Sequence, residues 1–268
     1  MSTTVWLNGC LLDIADAHIA PNDRGFLLSD GLFETIRVAN GQMPHLARHL
    51  ARLEEGCAIL RLPAPDRTLL IQAISDLLHA TKLSDGSLRL TVTRGTGPRG
   101  LVPPATPHPT VLIQATASLM TVPPPVRLGL SRYRRDGTSP LARVKSIACL
   151  PSIMSRMEAV AAGMDDALLL GTTGAIAEAS AANILFLREG CLQTPPIPDG
   201  TLPGTSRARL LEDDFCTEGR LLPQELKTVT GAWLVNALSL TAVSSIDGHD
   251  LSLHAELDRR LRAFLFPA

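Results

Sequence analysis

The chain has no excess of charge of either sign: 25 Lys and Arg stand against 26 Asp and Glu, for a formal net charge of −1. The basic residues are dispersed, so nothing in the charge pattern favours nucleic acid or an anionic membrane as a partner. No stretch reaches the ~18 consecutive apolar residues of a membrane span. The opening MSTTVWLNGC also lacks a basic region followed by an apolar core. The expectation is a cytosolic protein. The five cysteines, Cys10, Cys57, Cys149, Cys191 and Cys216, are scattered with no CxxC spacing. That argues against a disulfide framework or zinc knuckle and for reduced thiols filling apolar space. Of seven histidines only His45 and His49 fall four residues apart, without an accompanying acidic ligand, so no metal site is expected. Aromatics are sparse at 3%, and there are no repeats or low-complexity segments apart from a run of prolines.

What is present is a 268-residue chain, 45% hydrophobic and 19% charged, with proportions ordinary for a globular protein and enough length for a substantial core. VWLNGCLLDI reads as a hairpin around Asn8-Gly9. In LFETIRVANGQM, Phe33, Thr35 and Arg37 alternate with Glu34, Ile36 and Val38 ahead of a second turn pair, Asn40-Gly41. Two strands with such turns would begin an antiparallel sheet. Leu46, Leu50, Leu53, Cys57 and Leu60 recur at helical spacing, and DRTLLIQAISDLLHAT predicts a second helix begun near Pro65-Asp66. Leu88-Leu90-Val92 and TVLIQAT read as strands. Pro123-Pro124-Pro125 favours a stiff extended path, which sets the expected domains at 1–121 and 122–268. In the second, VRLGLSRY is a strand, and Pro151 to Ala162 a helix with Ile153, Met154, Met157 and Val160 inward and Gly163 at its C-cap. DALLLG, AIAEAS, NILFL and a strand interrupted by Asn236 come next, and HAELDRRLRAFL closes the chain as a helix. The fold class predicted is mixed α/β (α+β).

Several residues suggest chemistry. Lys145 stands in a mostly apolar stretch, and a desolvated lysine amine can form a Schiff base with an aldehyde. Taken alone, a lysine is usually a solvated surface charge. Arg52 lies roughly 100° from the centre of its helix's apolar stripe and can leave its flank toward a cleft, although an exposed arginine is the ordinary alternative. In TRGTGPRG, Arg94 and Arg99 stand among Gly95, Gly97 and Gly100. Glycines allow close backbone approach and arginines bind carboxylates, or the segment is a plain hairpin tip. In TLPGTSRARLLEDD, Thr205 and Ser206 lie at a helix entry, which suits a phosphate or simple N-capping.

The succession SDGLFETIRV, HLARL, TRGTGPRG, a lysine, AEASAANILF, LPGTSR and VNAL resembles the fold-type IV pyridoxal-phosphate enzymes, the class IV aminotransferase group, from about Leu7 to Gly248. The resemblance implies a two-domain, D-amino-acid-aminotransferase-like fold and pyridoxal 5'-phosphate as cofactor. Lys145 would hold the cofactor and act as the catalytic base. Glu178 would pair with the pyridine nitrogen, and Arg52, Thr205 and Ser206 would bind the phosphate. Leu202 would pack on the ring, and Asn236 and Ala237 would supply the last phosphate-side loop. Members are usually homodimers acting on small molecules, and an inert, merely cofactor-binding relative is the contrasting possibility.

Within the group, Leu150 stands where branched-chain enzymes usually carry a tyrosine. Leu101 and Phe33 replace a histidine and a tyrosine that bind carboxylate in the D-amino-acid enzymes. Phe33, Arg94 with Arg99, Ser180-Ala181-Ala182-Asn183 and Asn236-Ala237-Leu238 match the lyases that convert 4-amino-4-deoxychorismate into 4-aminobenzoate and pyruvate for folate synthesis. Ala148 departs from their usual asparagine. The resemblance therefore implies lyase activity, with Phe33, Arg94 and Arg99 at the substrate. The alternative is an aminotransferase for D-amino or branched-chain amino acids with 2-oxoglutarate.

Overall fold

The computed structural model describes residues 3–119 and 121–267. The chain divides into two compact units, Met1–Met120 with Val144–Ala148, and Thr121–Arg143 with Cys149–Ala268. Lys145, expected in the second domain, thus groups with the first unit. The reason is local: the Phe33 amide donates to the Lys145 carbonyl at 3.0 Å and the Ile147 amide to the Gly31 carbonyl at 3.1 Å.

The first unit holds β1 (Thr4–Leu7), β2 (Cys10–Asp13), α1 (Arg24–Leu28), β3 (Gly31–Val38), α2 (Leu46–Leu60), α3 (Arg67–Thr81), β4 (Gly86–Thr93) and β5 (Thr110–Ala117). Its antiparallel sheet has the order β2-β1-β5-β4-β3. The β1/β2 hairpin closes through Asn8 (φ 48°) and Gly9 (φ 101°), the left-handed pair that a two-residue turn requires. Asn40-Gly41 also turns the chain, but into α2 rather than a strand. β3 pairs instead with β4, from Gly31 opposite Thr93 to Val38 opposite Gly86. The two turns differ in the segment beyond them: after Asn40-Gly41 the apolar period is helical rather than alternating.

β3 buries Leu32, Glu34, Ile36 and Val38 on one face. α2 packs against this strand through Leu50, Leu53 and Cys57, and α3 adds Leu70, Ile74 and Leu77. Asp66 starts α3 by accepting the Leu69 amide at 2.8 Å.

The second unit contains β6 (Val126–Arg135), α4 (Leu150–Ala161), β7 (Asp166–Gly171), β8 (Ile176–Ala179), β9 (Asn183–Arg188), β10 (Cys191–Thr194), α5 (Thr205–Glu212), β11 (Thr217–Glu218), β12 (Val229–Val235), β13 (Leu240–Ile246), β14 (His249–Asp250) and α6 (Ala255–Leu265). The sheet runs β11-β10-β9-β12-β13-β6-β7-β8, with β14 on β13. β6 is parallel to both β13 and β7, and β11 to β10, while the other neighbours run antiparallel, so the sheet is mixed with a parallel centre.

α4 departs from the expected orientation. Ser155 and Ala159 are its buried residues, whereas Ile153, Met157 and Val160 are exposed. Small side chains bring the helix close to the sheet, where the Ser155 and Ser131 hydroxyls meet at 2.9 Å, and the bulky apolar residues are left outside. The cap of α4 is Ala162, one residue before Gly163. Cys57 and Cys216 are buried, and burial pushes each thiol up to about 11, whereas Cys10 and Cys191 are exposed rather than filling apolar space. No described helix is long and apolar enough to cross a membrane.

Candidate active site

Glu34 lies on the buried face of β3, 1% exposed, so its carboxylate needs partners. α2 supplies them. Arg52 donates Nε to Oε1 at 2.8 Å and NH2 to Oε2 at 2.6 Å, and His49 Nδ1 lies 2.7 Å from Oε2. Burial pushes the Glu34 carboxyl up, and the hydrogen bonds from His49 and Arg52 more than reverse it, leaving it below the ordinary carboxylate range. The two-pronged contact fixes the plane of the Arg52 guanidinium. Arg52 thus leaves the flank of α2 as its helical phase implied, braced by an acid that sequence reasoning had not singled out. The signal was available: a glutamate in the buried phase of an alternating strand has to find a cation.

Phe33 occupies the other face of β3. Its ring carries two cations, Arg89 with Cζ 4.0 Å and Lys145 with Nζ 4.4 Å from the centroid. A Cβ at Gly31 would approach Val92 O to 2.6 Å and Thr93 Cα to 3.0 Å, so this glycine lets the start of β3 lie close against β4, with Ile147 of the lysine-bearing segment packed beside it. The chain has three lysines. Lys82 and Lys227 are exposed, whereas Lys145 is half-buried.

The two arginines after β4 have different surroundings. Arg94 is buried and donates Nε to Asp30 at 2.7 Å, NH1 to the Arg61 carbonyl at 3.0 Å and NH2 to the Leu60 carbonyl at 2.9 Å. It closes the C-terminal end of α2. Arg99 is exposed. Of the three glycines read as allowing close approach of a ligand, Gly95 and Gly97 instead admit the protein itself, whereas Gly100 faces open space. A Cβ at Gly95 would collide with the His108 carbonyl, and one at Gly97 would lie 2.9 Å from Arg24 Cδ.

In the second unit Glu178, on β8, is 7% exposed. Its Oε2 accepts the Asn183 amide nitrogen at 3.2 Å and the Leu202 backbone N–H at 2.9 Å, and its Oε1 faces Arg135 Nε at 3.0 Å. Arg135, at the end of β6, also donates to the Gly200 and Ala142 carbonyls. Sequence reasoning missed Arg135 because nothing local distinguishes it from the neighbouring Arg132 and Arg134.

Beside Glu178, α5 starts at Thr205 with Gly204 as N-cap and no side-chain cap. Thr205 and Ser206, expected as helix-entry hydroxyls, are both buried in the first turn. Ser206 Oγ donates to the Asn236 carbonyl at 2.9 Å, while Asn236 Oδ1 accepts the Leu238 and Ser239 amides at 2.9 and 3.0 Å. The helix entry and the Asn236-Ala237 turn are therefore tied together. A Cβ at Gly204 would collide with Asn183 Oδ1, so the entry rests directly on the residue that orients Glu178.

The residues fit pyridoxal 5'-phosphate. A buried carboxylate held by an arginine and two N–H donors suits a protonated pyridine nitrogen. Uncapped amides at the start of α5 suit a phosphate. Lys145 is the least exposed of the three lysines.

Residues 31–246 match the family Amino-transferase class IV. A protein of Methanocaldococcus jannaschii, provisionally described as a branched-chain-amino-acid aminotransferase, is 33% identical over 214 residues, 76% of this chain and 72% of that protein. The aminodeoxychorismate lyase of Vibrio harveyi is 28% identical over 275 residues, 97% of this chain and 98% of its own. Among solved structures, the 4-amino-4-deoxychorismate lyase of Pseudomonas aeruginosa matches with a TM-score of 0.82 at 30% identity, covering 97% of this chain and 99% of that one.

Proposed function

The chain belongs to the class IV aminotransferase family and is a pyridoxal 5'-phosphate-dependent enzyme; from that premise we propose that it is a 4-amino-4-deoxychorismate lyase, which eliminates pyruvate to give 4-aminobenzoate. The observation that carries the choice is Phe33. Where the D-amino-acid enzymes would place a tyrosine hydroxyl for a substrate carboxylate, this chain has a hydroxyl-free ring carrying Arg89 and Lys145. The near-complete coverage of the Vibrio and Pseudomonas lyases supports the same reading.

Pyridoxal phosphate, when bound, supplies an electron sink for charge developing at the carbon beside the substrate nitrogen. Lys145 would hold it covalently, and the free Lys145 amine would remove the proton from the amine-bearing carbon of the substrate. Glu178 keeps the pyridine nitrogen protonated, with Arg135, Asn183 and the Leu202 amide holding the carboxylate in place. Arg52, braced by Glu34, binds the phosphate with Thr205, Ser206, Asn236 and Ala237, and Leu202 packs on the ring. Arg99 takes a substrate carboxylate. Arg94, spent on Asp30 and on the Leu60 and Arg61 carbonyls, secures the end of α2 instead. Proton loss allows pyruvate to leave as its enol, and the remaining ring becomes aromatic. In this reading the enzyme is a cytoplasmic homodimer serving folate synthesis. The exposed apolar face of α4, with Leu150, Ile153, Met157 and Val160, is surface that a second copy would cover.

The 33% identity to the Methanocaldococcus protein favours a second reading, an aminotransferase using the same Lys145 and Glu178. Purified enzyme given 4-amino-4-deoxychorismate and no keto acid should release 4-aminobenzoate and pyruvate in equal amounts. Turnover only with an amino acid plus 2-oxoglutarate would reverse the choice.

A further inference from the structure

Arg24 opens α1 and is 4% exposed, far from the usual position of an arginine. Its Nε donates to Asp30 Oδ2 at 2.9 Å. NH1 donates to the carbonyls of Gly100 at 2.9 Å and Val102 at 3.5 Å, and NH2 to that of Leu101 at 3.0 Å. One guanidinium therefore gathers three successive carbonyls, bending residues 100–102 into an arch around itself. The other contacts of Arg24 reinforce this. Its amide donates to the Gly95 carbonyl at 2.8 Å, Asp23 and Thr96 form a β-bridge, and Gly97 leaves just enough room for the Arg24 side chain. Asp30 in turn shares the same Oδ2 with Arg94 at 2.7 Å, so the arch is joined through one carboxylate to the C-terminal end of α2. Burial pushes the Asp30 carboxyl up, and Arg94 and Arg24 together hold it below its ordinary range.

Arg99 is the residue immediately before this arch, on an exposed loop with no regular secondary structure of its own. A long cationic side chain on a free loop would sample many directions and lose affinity in being ordered on binding. We infer that Arg24 is a positioning residue for substrate: by pinning the carbonyls of Gly100, Leu101 and Val102 it sets the direction in which Arg99 meets the substrate carboxylate. The inference rests on the reading of Arg99 as the carboxylate anchor. Lysine cannot replace Arg24 here, because an ammonium is a point donor and cannot span a carboxylate and three carbonyls in one plane.

The test is a double-mutant cycle on the holoenzyme with Arg24→Lys and Arg99→Ala, read as KM and kcat for 4-amino-4-deoxychorismate and, in parallel, for an amino acid with 2-oxoglutarate. Arg24→Lys should raise KM ~10-fold with a smaller change in kcat, and should add almost nothing in the Arg99→Ala background. Because the Arg99-Gly100 bond is itself a trypsin site, that cleavage supplies a readout independent of turnover. It should be faster by about an order of magnitude in Arg24→Lys, as expected of a released loop. If Arg99→Ala raises KM and Arg24→Lys does not, or the two effects simply add, the positioning role is overturned and the anchor stands. If Arg99→Ala leaves KM unchanged for both substrates, the anchor falls and this inference with it. Unchanged cleavage at Arg99 in Arg24→Lys overturns the pinned arch directly.

Discussion

The amine of Lys145 stands 4.4 Å from the centroid of the Phe33 ring, while the Phe33 amide donates to the Lys145 carbonyl at 3.0 Å. The two residues are thus held together by both main chain and side chain, although 112 positions of sequence separate residue 33 from residue 145. The ring limits where the amine can go, which matters for a base that has to meet one carbon. Phe33→Ala keeps the backbone contact and removes that limit. It should lower kcat/KM ~10-fold while bound cofactor is retained, measured by turnover alongside the visible absorbance of the protein.

Glu34 gives a stability prediction with a definite sign. Its folded carboxyl lies below the ordinary value of 4.5, so its contribution is fully present above that value and is lost as pH falls through the lower folded value. Glu34→Gln leaves Arg52 buried beside a neutral group and should cost ~3 kcal/mol at pH 7. Urea unfolding of both proteins across pH should show the gap narrowing as the medium becomes more acidic than 4.5. A gap that widens in acid would contradict the ion pair.

Arg94 and Arg99 should separate by assay. Arg94→Lys loses the forked contact to Asp30 and to two carbonyls at the end of α2, and is expected to destabilise the fold by ~2 kcal/mol, with KM little changed in the surviving folded enzyme. Arg99→Lys should do the reverse, raising KM while leaving the unfolding midpoint in place.

Gly204→Ala probes the helix entry. The new methyl group would collide with Asn183 Oδ1, and Asn183 is held by Glu178 and by the Leu202 carbonyl at 3.0 Å, so the entry has to shift. Titration of the cofactor-free protein with pyridoxal phosphate should show affinity weaker by ~10-fold or more, or about 1.4 kcal/mol. Affinity equal to the parent protein would remove α5 from the phosphate site.

Much of this was legible in the sequence where local period and local chemistry agree. The Asn8-Gly9 hairpin, the β3 alternation, the α2 stripe and the α3 cap each arise from a few neighbouring residues. The flank position of Arg52 also came from helical phase. The features that were not legible depend on partners distant in sequence. The structural employment of Arg94 depends on Asp30 and on where α2 ends. Arg135 depends on β6 lying beside β7, which carries it to Glu178. The orientation of α4 misled because apolar spacing marks an apolar face without saying what covers it. Here the sheet takes Ser155 and Ala159, and the larger residues remain outside.

The central claim is that Lys145 carries the cofactor, and only two other lysines, Lys82 and Lys227, can compete. Borohydride reduction of the protein with pyridoxal phosphate, followed by peptide mass mapping, tests it directly. The account predicts one pyridoxyl group per chain, on the peptide containing Lys145, and none after Lys145→Ala. Stable labelling at Lys82 or Lys227, or no yellow colour and no label at all, would contradict it.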